Sequence, residues 1–386
     1  MDFELSEEQR MIRDMCREFA NEVIAPRAKE INEPGNNCAC NIINKIINKM
    51  ADLGMMGIPL PKEYGGTGGD WVSMVLCIEE IARADAGIAQ ILDVSTVCAH
   101  EIEVFGTNEQ KREWLTLLAK GETIAAFALT EQGAGSDAAA ITTTATLDND
   151  EWVINGNKQF VSNIALDKSS VAIVVAISGK NQKGRNIIND FIVPKDTPGF
   201  IIGKSYDKIG LHSQPVNEVT FEDCRIPRDY LLGKEGRGLA QRLATLQIAR
   251  ICVAACAVGI AQACLDASLP YAKQRIQFGR PIIDFQGVSF KLADMAVAIQ
   301  LARLMYLKAA WLKDNKLPYT FEASAAKLYA SEMAEKAARD AVQIHGGYAY
   351  ITEHPVARYY TQAKLFTIGE GTSEMQRLII SRALRA

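Results

Sequence analysis

The chain has 386 residues, a formal net charge of −4 at pH 7, and 48% hydrophobic against 23% charged residues. That length exceeds what one small core organises, so two or three domains are expected. The weak negative charge removes the electrostatic case for a nucleic-acid partner, and no apolar run reads as long enough for a membrane span.

The opening Met1-Asp2-Phe3-Glu4-Leu5 lacks the basic and then apolar pattern of a secretion signal, so a cytoplasmic protein is expected. Ser6 to Gln9 reads as a capping box that starts a helix. Helical periodicity then continues to about Lys120, most clearly in Ile43–Met56 and Trp71–Ala84. The loop Pro59–Asp70, with two prolines and four glycines, interrupts it. Thr107-Asn108-Glu109-Gln110 is a second capping box, opening a helix through Leu118.

From about Gly121 to Leu232 the texture is that of strands. Thr142–Leu147 is rich in β-branched threonine, Asp148-Asn149-Asp150 makes a turn, and Trp152–Ile154 is a short strand. Asn155-Gly156 reads as a hairpin turn. Val171–Ile177, Asp190–Val193 and Val219–Phe221 complete an expected antiparallel sheet. Beyond Gly236 the long amphipathic stretches Leu239–Arg275, Ile283–Lys313 and Phe321–Ile344 read as an up-and-down bundle. The expectation is a mainly α protein with a central β domain, divided at 1–120, 121–232 and 233–386.

Nine cysteines, an odd number set largely in apolar helical stretches, fit reduced and buried thiols better than a disulfide framework. Neither Cys38/Cys40 nor Cys252/Cys256 is joined by a second pair or a nearby histidine, and the four histidines are scattered, so no metal site is read.

Three stretches carry chemistry. In Gly369-Glu370-Gly371-Thr372-Ser373-Glu374-Met375-Gln376-Arg377-Leu378 a carboxylate sits between two glycines, and a Thr/Ser pair then opens a helix. This suits a general base aimed from a loop at a carbon-bound proton. In Phe127-Ala128-Leu129-Thr130-Glu131-Gln132-Gly133-Ala134-Gly135-Ser136-Asp137 a strand runs into a glycine loop whose N–H groups can face a phosphate or a flavin edge. In Asn155-Gly156-Asn157-Lys158-Gln159-Phe160-Val161-Ser162-Asn163 an aromatic ring stands two residues from a hydroxyl, on the same side of a strand. Taken singly, each also reads as a turn, a core aromatic or a solvated loop.

In this order the three stretches resemble the acyl-CoA dehydrogenase family. So do Tyr271-Ala272-Lys273-Gln274-Arg275-Ile276-Gln277-Phe278-Gly279 and Gln343-Ile344-His345-Gly346-Gly347-Tyr348. The likeness runs from Leu5-Ser6-Glu7-Glu8-Gln9 to the last helix. It implies a helical N-terminal domain, an antiparallel β-barrel-like middle domain and a C-terminal four-helix bundle. It also implies α,β-dehydrogenation of an acyl-CoA thioester: a glutamate removes the α-proton while the β-hydrogen leaves as hydride to FAD. An electron-transfer flavoprotein or similar acceptor and a homotetramer, a dimer of dimers, follow from the same resemblance.

By that resemblance Glu370 stands at the family's usual base position, while the alternative base position holds Ala249. FAD contacts fall on Phe127, Leu129, Thr130, Gly135, Ser136, Phe160 and Ser162, with Thr372 and Glu374 at the last helix. A neighbouring subunit contributes Arg275, Phe278, Gln286, Gln343, Gly346 and Gly347. Substrate contacts fall on Ser136, Gln247, Arg250, Gly369 and Gly371. Phe160 and Ser162 replace the family's usual Trp and Thr. Gly369 replaces a common Tyr, which enlarges the space beside the acyl α-carbon. Asp93 falls where the family's acyl pocket is lined, either in that pocket or on a solvated helix face. In the pocket it disfavours a long alkyl chain and favours a short, bulky or alicyclic acyl group of the cyclohexanecarboxyl type. The alternatives are a cyclohexene-carboxyl-CoA-type enzyme with Asp93 as a second catalytic base, an enoyl-CoA reductase, and a non-catalytic redox or scaffold homologue.

Overall fold

The computed structural model describes residues 4–33, 35 and 39–385; Met1–Phe3 and Cys38 lie outside them. Ser6 caps α1 (Glu7–Phe19) with the expected reciprocal box. Helices α2 (Ala39–Asp52), α3 (Trp71–Ala84) and α4 (Ala86–Phe105) follow. The Thr107 box opens a helical run with a π-turn at its centre, Lys111–Leu115.

The middle of the chain forms β1 (Ile124–Ala128), β2 (Thr144–Asp148), β3 (Glu151–Ser162), β4 (Ser169–Lys180), β5 (Asn186–Pro194), β6 (Phe200–Ser205), β7 (Val216–Pro227) and β8 (Leu231–Leu232). They make one eight-stranded sheet in the order β6-β7-β3-β2-β4-β5-β8, with β1 added beside β4. Residues of β1 to β7 meet in a single core around Trp152, Phe191 and Phe221, so the sheet wraps upon itself. Alternation along β4 explains its double burial: Ala172, Val174 and Ala176 face this core, whereas Val171 and Ile173 pack with α4 residues Cys98 and Ile102.

Two sequence expectations are corrected here. The sheet is not purely antiparallel: β1 pairs β4 in parallel, and β2 meets β4 in parallel at Thr144 and Ile177. Asn155-Gly156 is not a hairpin turn. The turn is Asn149-Asp150, with Asn149 left-handed at φ 56°, and β3 runs on through Gly156 to pair with Phe221 of β7. Glycine is required at 156 for another reason: a Cβ there would stand 2.7 Å from the Thr143 Cα.

The C-terminal part comprises α5 (Gly238–Gln274), the small hairpin β9 (Ile276–Gln277) and β10 (Arg280–Pro281), α6 (Gln286–Asp314), α7 (Thr320–His345), α8 (Pro355–Ala363) and α9 (Ser373–Ala383). By length and composition alone, α5 and α6 are long and apolar enough to cross a membrane. In α5 the apolar window is 89% buried inside the fold, because α3, α4, α6 and α7 surround it. One continuous core joins α1, α3, α4, α5 and α7, so the first and last helical regions share their interior. The eight described cysteines are free, and all but Cys40 are buried.

Asp85 ties these layers together. It caps α4 by accepting from Ile88 N at 3.0 Å, and it also accepts from Asn32 Nδ2 at 2.6 Å, Ser213 Oγ at 2.5 Å and Gln362 Nε2 at 3.2 Å. Donors from the N-terminal region, the β domain and the C-terminal helices thus share one buried carboxylate. Asp85→Ala is expected to lower unfolding stability by about 3 kcal/mol or more, because four buried donors lose an acceptor together. Urea unfolding followed by circular dichroism checks this.

Candidate active site

The loop before α9 is held open by its own backbone. Glu370 is left-handed at φ 54° and Gly371 at φ 90°. A carboxylate residue in that region is uncommon and costs free energy, so the surroundings must fix it. They do so through carbonyls. Gln376 Nε2 donates to Glu370 O at 3.2 Å and to Gly371 O at 2.9 Å, and Lys327 Nζ donates to Gly371 O at 2.7 Å. Thr372 caps α9, as expected, by accepting from Met375 N. The Glu370 N–H has no protein acceptor among the described residues. Glu374 is exposed in the first turn of α9. Gly369 is not demanded sterically: a Cβ there would meet nothing nearer than Leu365 O at 3.7 Å.

The Glu370 side chain lies in densely packed surroundings. Burial pushes its carboxyl above the usual range, and Arg250, Arg242 and Lys327 pull it back. Arg250 is buried, its Nε lacks a partner, and no carboxylate lies within ion-pair distance of it among the described residues. Lys327 is fully buried, and burial lowers it to about 8 against the attraction of Glu370.

Asp93 is 2% exposed, so the solvated-face reading of this residue is overturned. It sits on α4 in the seam with α5. Gln90 Nε2 donates to Asp93 Oδ2 at 3.0 Å and lies 3.3 Å from Cys256 Sγ. Asp93 Oδ1 has no partner. Burial first, and the charge of Glu370 second, push Asp93 well above the carboxylate range, while contacts from Gln90 and Cys252 oppose the shift. Asp93 is therefore within electrostatic reach of Glu370 and favours its neutral form. Ala249 is buried on the same stretch of α5, whereas Gln247 points elsewhere and accepts from Thr320 Oγ1 at 2.9 Å.

The glycine loop after β1 is fastened to β3. Lys158, fully buried, donates to Leu129 O at 3.0 Å and to Glu131 Oε1 at 2.7 Å. Glu131 also takes both N–H and hydroxyl of Thr142 and of Thr143. Burial works against the Glu131 carboxylate, but Lys158 and the threonines outweigh it and hold it down at about 2. Gln159 N donates to Thr130 O at 2.7 Å. The strand then bulges between Lys158 and Val161, and Phe160 becomes left-handed at φ 57°. The simple alternation expected along this strand therefore slips by one residue. The bulge leaves the Phe160 ring 58% exposed, beside Tyr206 at 5.0 Å, with Ser162 half-buried two residues on. Phe127 and Thr130 are half-buried, Leu129 is buried, and Gly135 and Ser136 are exposed.

The positions expected to serve a neighbour's cofactor lie on the opposite chain segment. Arg275, Gly346 and Gly347 line one depression of about 590 Å³, together with Tyr271 and Tyr348. Gln343 lines an adjoining and larger one, while Gln286 is exposed at the start of α6 and Phe278 is 93% exposed. Neither depression contains Glu370. Sequence reasoning missed Lys327, Gln376, Lys158, Glu131 and Arg242. Glu131, Lys158 and Gln376 fell inside stretches singled out beforehand, though without a role, and nothing local to Lys327 or Arg242 marks them, because their partners lie far along the chain.

Comparisons with known proteins agree along the whole chain. Family models described as the acyl-CoA dehydrogenase N-terminal, middle and C-terminal domains match residues 6–122, 126–224 and 236–385. The probable acyl-CoA dehydrogenase YngJ of Bacillus subtilis is 50% identical over 386 residues, covering 100% of both chains. The structure of butyryl-CoA dehydrogenase from Megasphaera elsdenii superposes with a TM-score of 0.94 at 39% identity, covering 100% of both chains. An acyl-CoA dehydrogenase from Bacillus anthracis, solved as a complex with FAD, superposes with a TM-score of 0.92 at 32% identity, covering 99% of this chain and 68% of that one.

The Lys158–Glu131 pair yields a test. Lys158→Met leaves a buried carboxylate unpaired and should cost about 3–5 kcal/mol, whereas Lys158→Met/Glu131→Gln should recover most of it. The depressed Glu131 favours the fold fully above its ordinary value of 4.5, and that contribution fades as pH falls toward about 2. Denaturant midpoints of the three proteins across acid pH check both statements.

Proposed function

The chain belongs to the acyl-CoA dehydrogenase family, FAD-dependent oxidoreductases acting on acyl-CoA, and on that premise we propose that Glu370 is the base and that the acyl group is short and compact. The observation that carries the reading is that the strained, half-buried Glu370 loop is pinned by Lys327 and Gln376 while its charge reaches Asp93, buried in the seam between α4 and α5.

Glu370 has the properties a carbon base requires. Burial strengthens it as a base, and the charges of Arg250, Arg242 and Lys327 oppose its protonation. Its free N–H is available to the thioester oxygen, where charge develops as the α-proton leaves. The unpartnered Arg250 stands by the same loop to hold base or substrate in register. The residues present also fit a flavin. Phe160 offers an exposed ring, and a Cβ on Gly133 or Gly135 would meet nothing within 4 Å, so the loop backbone is open to close approach. In the site so formed, Phe127, Leu129, Thr130, Gly135, Ser136, Phe160, Ser162, Thr372 and Glu374 would hold the ring system and its ribityl end. FAD, when bound, accepts the β-hydrogen as hydride.

Asp93 sets the acyl class. As a neutral acid it offers Oδ1 to the seam, and Gln90, Cys252 and Cys256 give that end a polar rim. A long alkyl chain would bury hydrocarbon against these groups at a cost. At the other end Gly369 leaves room beside the reacting carbons. A short chain or an alicyclic ring of the cyclohexanecarboxyl type fits both constraints, and Megasphaera elsdenii butyryl-CoA dehydrogenase, with its four-carbon acyl name, supports the short case.

The assembly we propose is a homotetramer, a dimer of dimers, in the cytoplasm, with an electron-transfer flavoprotein or similar acceptor. Phe290, Val297, Leu301, Leu304 and Trp311 are exposed along α6 at heptad-like spacing, an apolar stripe that suits a helix partner. Arg275 and Phe278, also exposed, suit the cofactor of a neighbour.

Glu370→Gln should retain acyl-CoA binding and lose turnover by on the order of 10³-fold or more, the scale of removing an essential base. Near-normal turnover of this variant would transfer the role to Asp93. Asp93→Ala should raise kcat/KM on an eight-carbon straight chain relative to butyryl-CoA by about tenfold, the worth of one relieved polar-apolar contact. Because Asp93 is neutral where Glu370 titrates, Asp93→Asn should leave the acid limb of the pH profile in place. A panel of acyl-CoA thioesters, including a cyclohexanecarboxyl ester, supplies these measurements. Arg275→Ala should release flavin and weaken assembly together, read by absorbance and light scattering.

A further inference from the structure

Two buried polar side chains hold the loop that carries Glu370, and both hold it by the same edge. Lys327 of α7 and Gln376 of α9 are each 0% exposed. Lys327 Nζ donates to Gly371 O at 2.7 Å, and Gln376 Nε2 donates to Gly371 O at 2.9 Å and to Glu370 O at 3.2 Å. A Cβ on Gly371 would stand 2.9 Å from Gln376 Nε2, so the contact also needs that glycine. Neither side chain is an inexpensive filling for the bundle. The acids on the same helix as Lys327, Glu322, Glu332, Glu335 and Asp340, pair with other cations. Gln376 Oε1 is buried with no partner. A buried ammonium held by a carbonyl and a buried amide with an unused oxygen both cost free energy that an apolar side chain would not.

The two pinned carbonyls decide where the N–H groups of the loop point. A trans peptide is planar, with its N–H opposite its C=O. Glu370 O and Gly371 O are turned inward onto buried side chains. The N–H groups of Gly371 and Thr372 belong to the same two peptides, so they face the other way, toward the half-buried side of the loop. Upstream, Gly369 N donates to Leu365 O at 2.9 Å. The Glu370 N–H thus lies between an anchored residue and two fixed peptide planes, at a left-handed φ of 54° that the held carbonyls keep in place. None of these three successive N–H groups has a protein acceptor among the described residues.

We propose that Lys327 and Gln376 are positioning residues for the oxygen of the reacting thioester: by holding the carbonyls of Glu370 and Gly371 inward, they present the N–H edge of the base loop to that oxygen. This rests on the reading that Glu370 is the base and that its N–H serves the thioester. The role is one of direction and not of charge, because the neutral Gln376 holds the same carbonyl as Lys327. An N–H edge fixed before the substrate arrives needs no rearrangement as negative charge builds on the oxygen, and donors of this kind act most strongly there. Without either contact the strained loop relaxes, and the N–H edge turns away from the ligand while the carboxyl group of residue 370 is still present.

The test uses the full-length holoenzyme carrying Glu370→Gln, so that bound substrate persists and the carboxylate charge is gone. Butyryl-CoA, isotope-labelled at the thioester carbonyl, is bound, and its carbonyl stretch is read by infrared difference. In this parent the stretch should lie below that of the free ester. Adding Gln376→Leu or Lys327→Met should give back about half or more of the drop, because the donors no longer face the oxygen. With Glu370 restored, Gln376→Leu should lower kcat on the order of 10²-fold, the scale of a misplaced reacting group, with flavin content unchanged and acyl-CoA affinity within about tenfold. An unmoved stretch in a folded, flavin-loaded Gln376→Leu protein overturns the proposal. So does a shift seen with Lys327→Met alone, which would make charge the cause, or a parent stretch equal to that of the free ester. Should Gln376→Leu not fold, Gln376→Asn, one methylene short of the two carbonyls, must show the same rise, and an unmoved stretch there overturns the proposal. Normal turnover of the Glu370→Gln parent would show as loss of the bound substrate before any second substitution is made; it removes the base assignment, a separate result.

Discussion

A carboxylate buried beside an apolar seam tends to take up a proton, and a protonated carboxyl is no base. Around Glu370, the proposed base, burial raises the carboxyl and fixed cations oppose that rise. Arg250 and Arg242 come from two turns of α5, and Lys327 comes from α7. Their placement needs a helix that is buried along most of its length, which explains why α5 is apolar enough to resemble a membrane span. The core that buries α5 also buries the cations, and burial is what gives their charges reach. Packing and electrostatics are therefore one arrangement here: loosening the bundle would admit water and weaken the base.

The same constraint divides labour between two carboxyls. Glu370 and Asp93 feel each other, so both cannot ionise easily. The cations lie on the Glu370 side, and Asp93 has only Gln90 and Cys252 to support a charge. The charges that oppose protonation therefore act on Glu370, whereas burial and the Glu370 charge both favour a protonated Asp93. A neutral Asp93 acts through shape and hydrogen bonding, which is what the proposed acyl selection asks of it.

Local strain recurs where ligand groups would approach. Glu370 and Phe160 are both left-handed without being glycine. Each is over-determined by its surroundings, the first by Lys327 and Gln376 on the neighbouring carbonyls, the second by the bulge that separates Lys158 from Val161. The buried Lys158–Glu131 pair and the Gln159 N–Thr130 O bond fasten the glycine loop to the same strand.

Much of this was legible in the sequence. Helix positions followed from apolar spacing and capping boxes, because a long helix repeats its signal many times; Trp71–Ala84 and the Ser6 cap are cases in point. Glu370, Asp93 and the glycine loop stood out through composition and resemblance to a family. The sheet was less legible. Asn155-Gly156 carries a turn signal that pairing with β7 overrides, since hydrogen bonds across a long ladder outweigh a two-residue preference. The burial of Asp93 could not be read from its helix, which is apolar on nearly all sides. Nor could Arg242 and Glu101 be paired, because each has an ordinary sequence neighbourhood and they are brought together only by the meeting of α4 and α5. The sequence by itself determined which segments are helical, where the proposed base stands and which family the chain resembles, because those depend on local spacing and on motifs. Only the tertiary structure decided which charges surround Glu370 and how deeply Asp93 is buried, because those depend on distances through space between residues far apart in the chain.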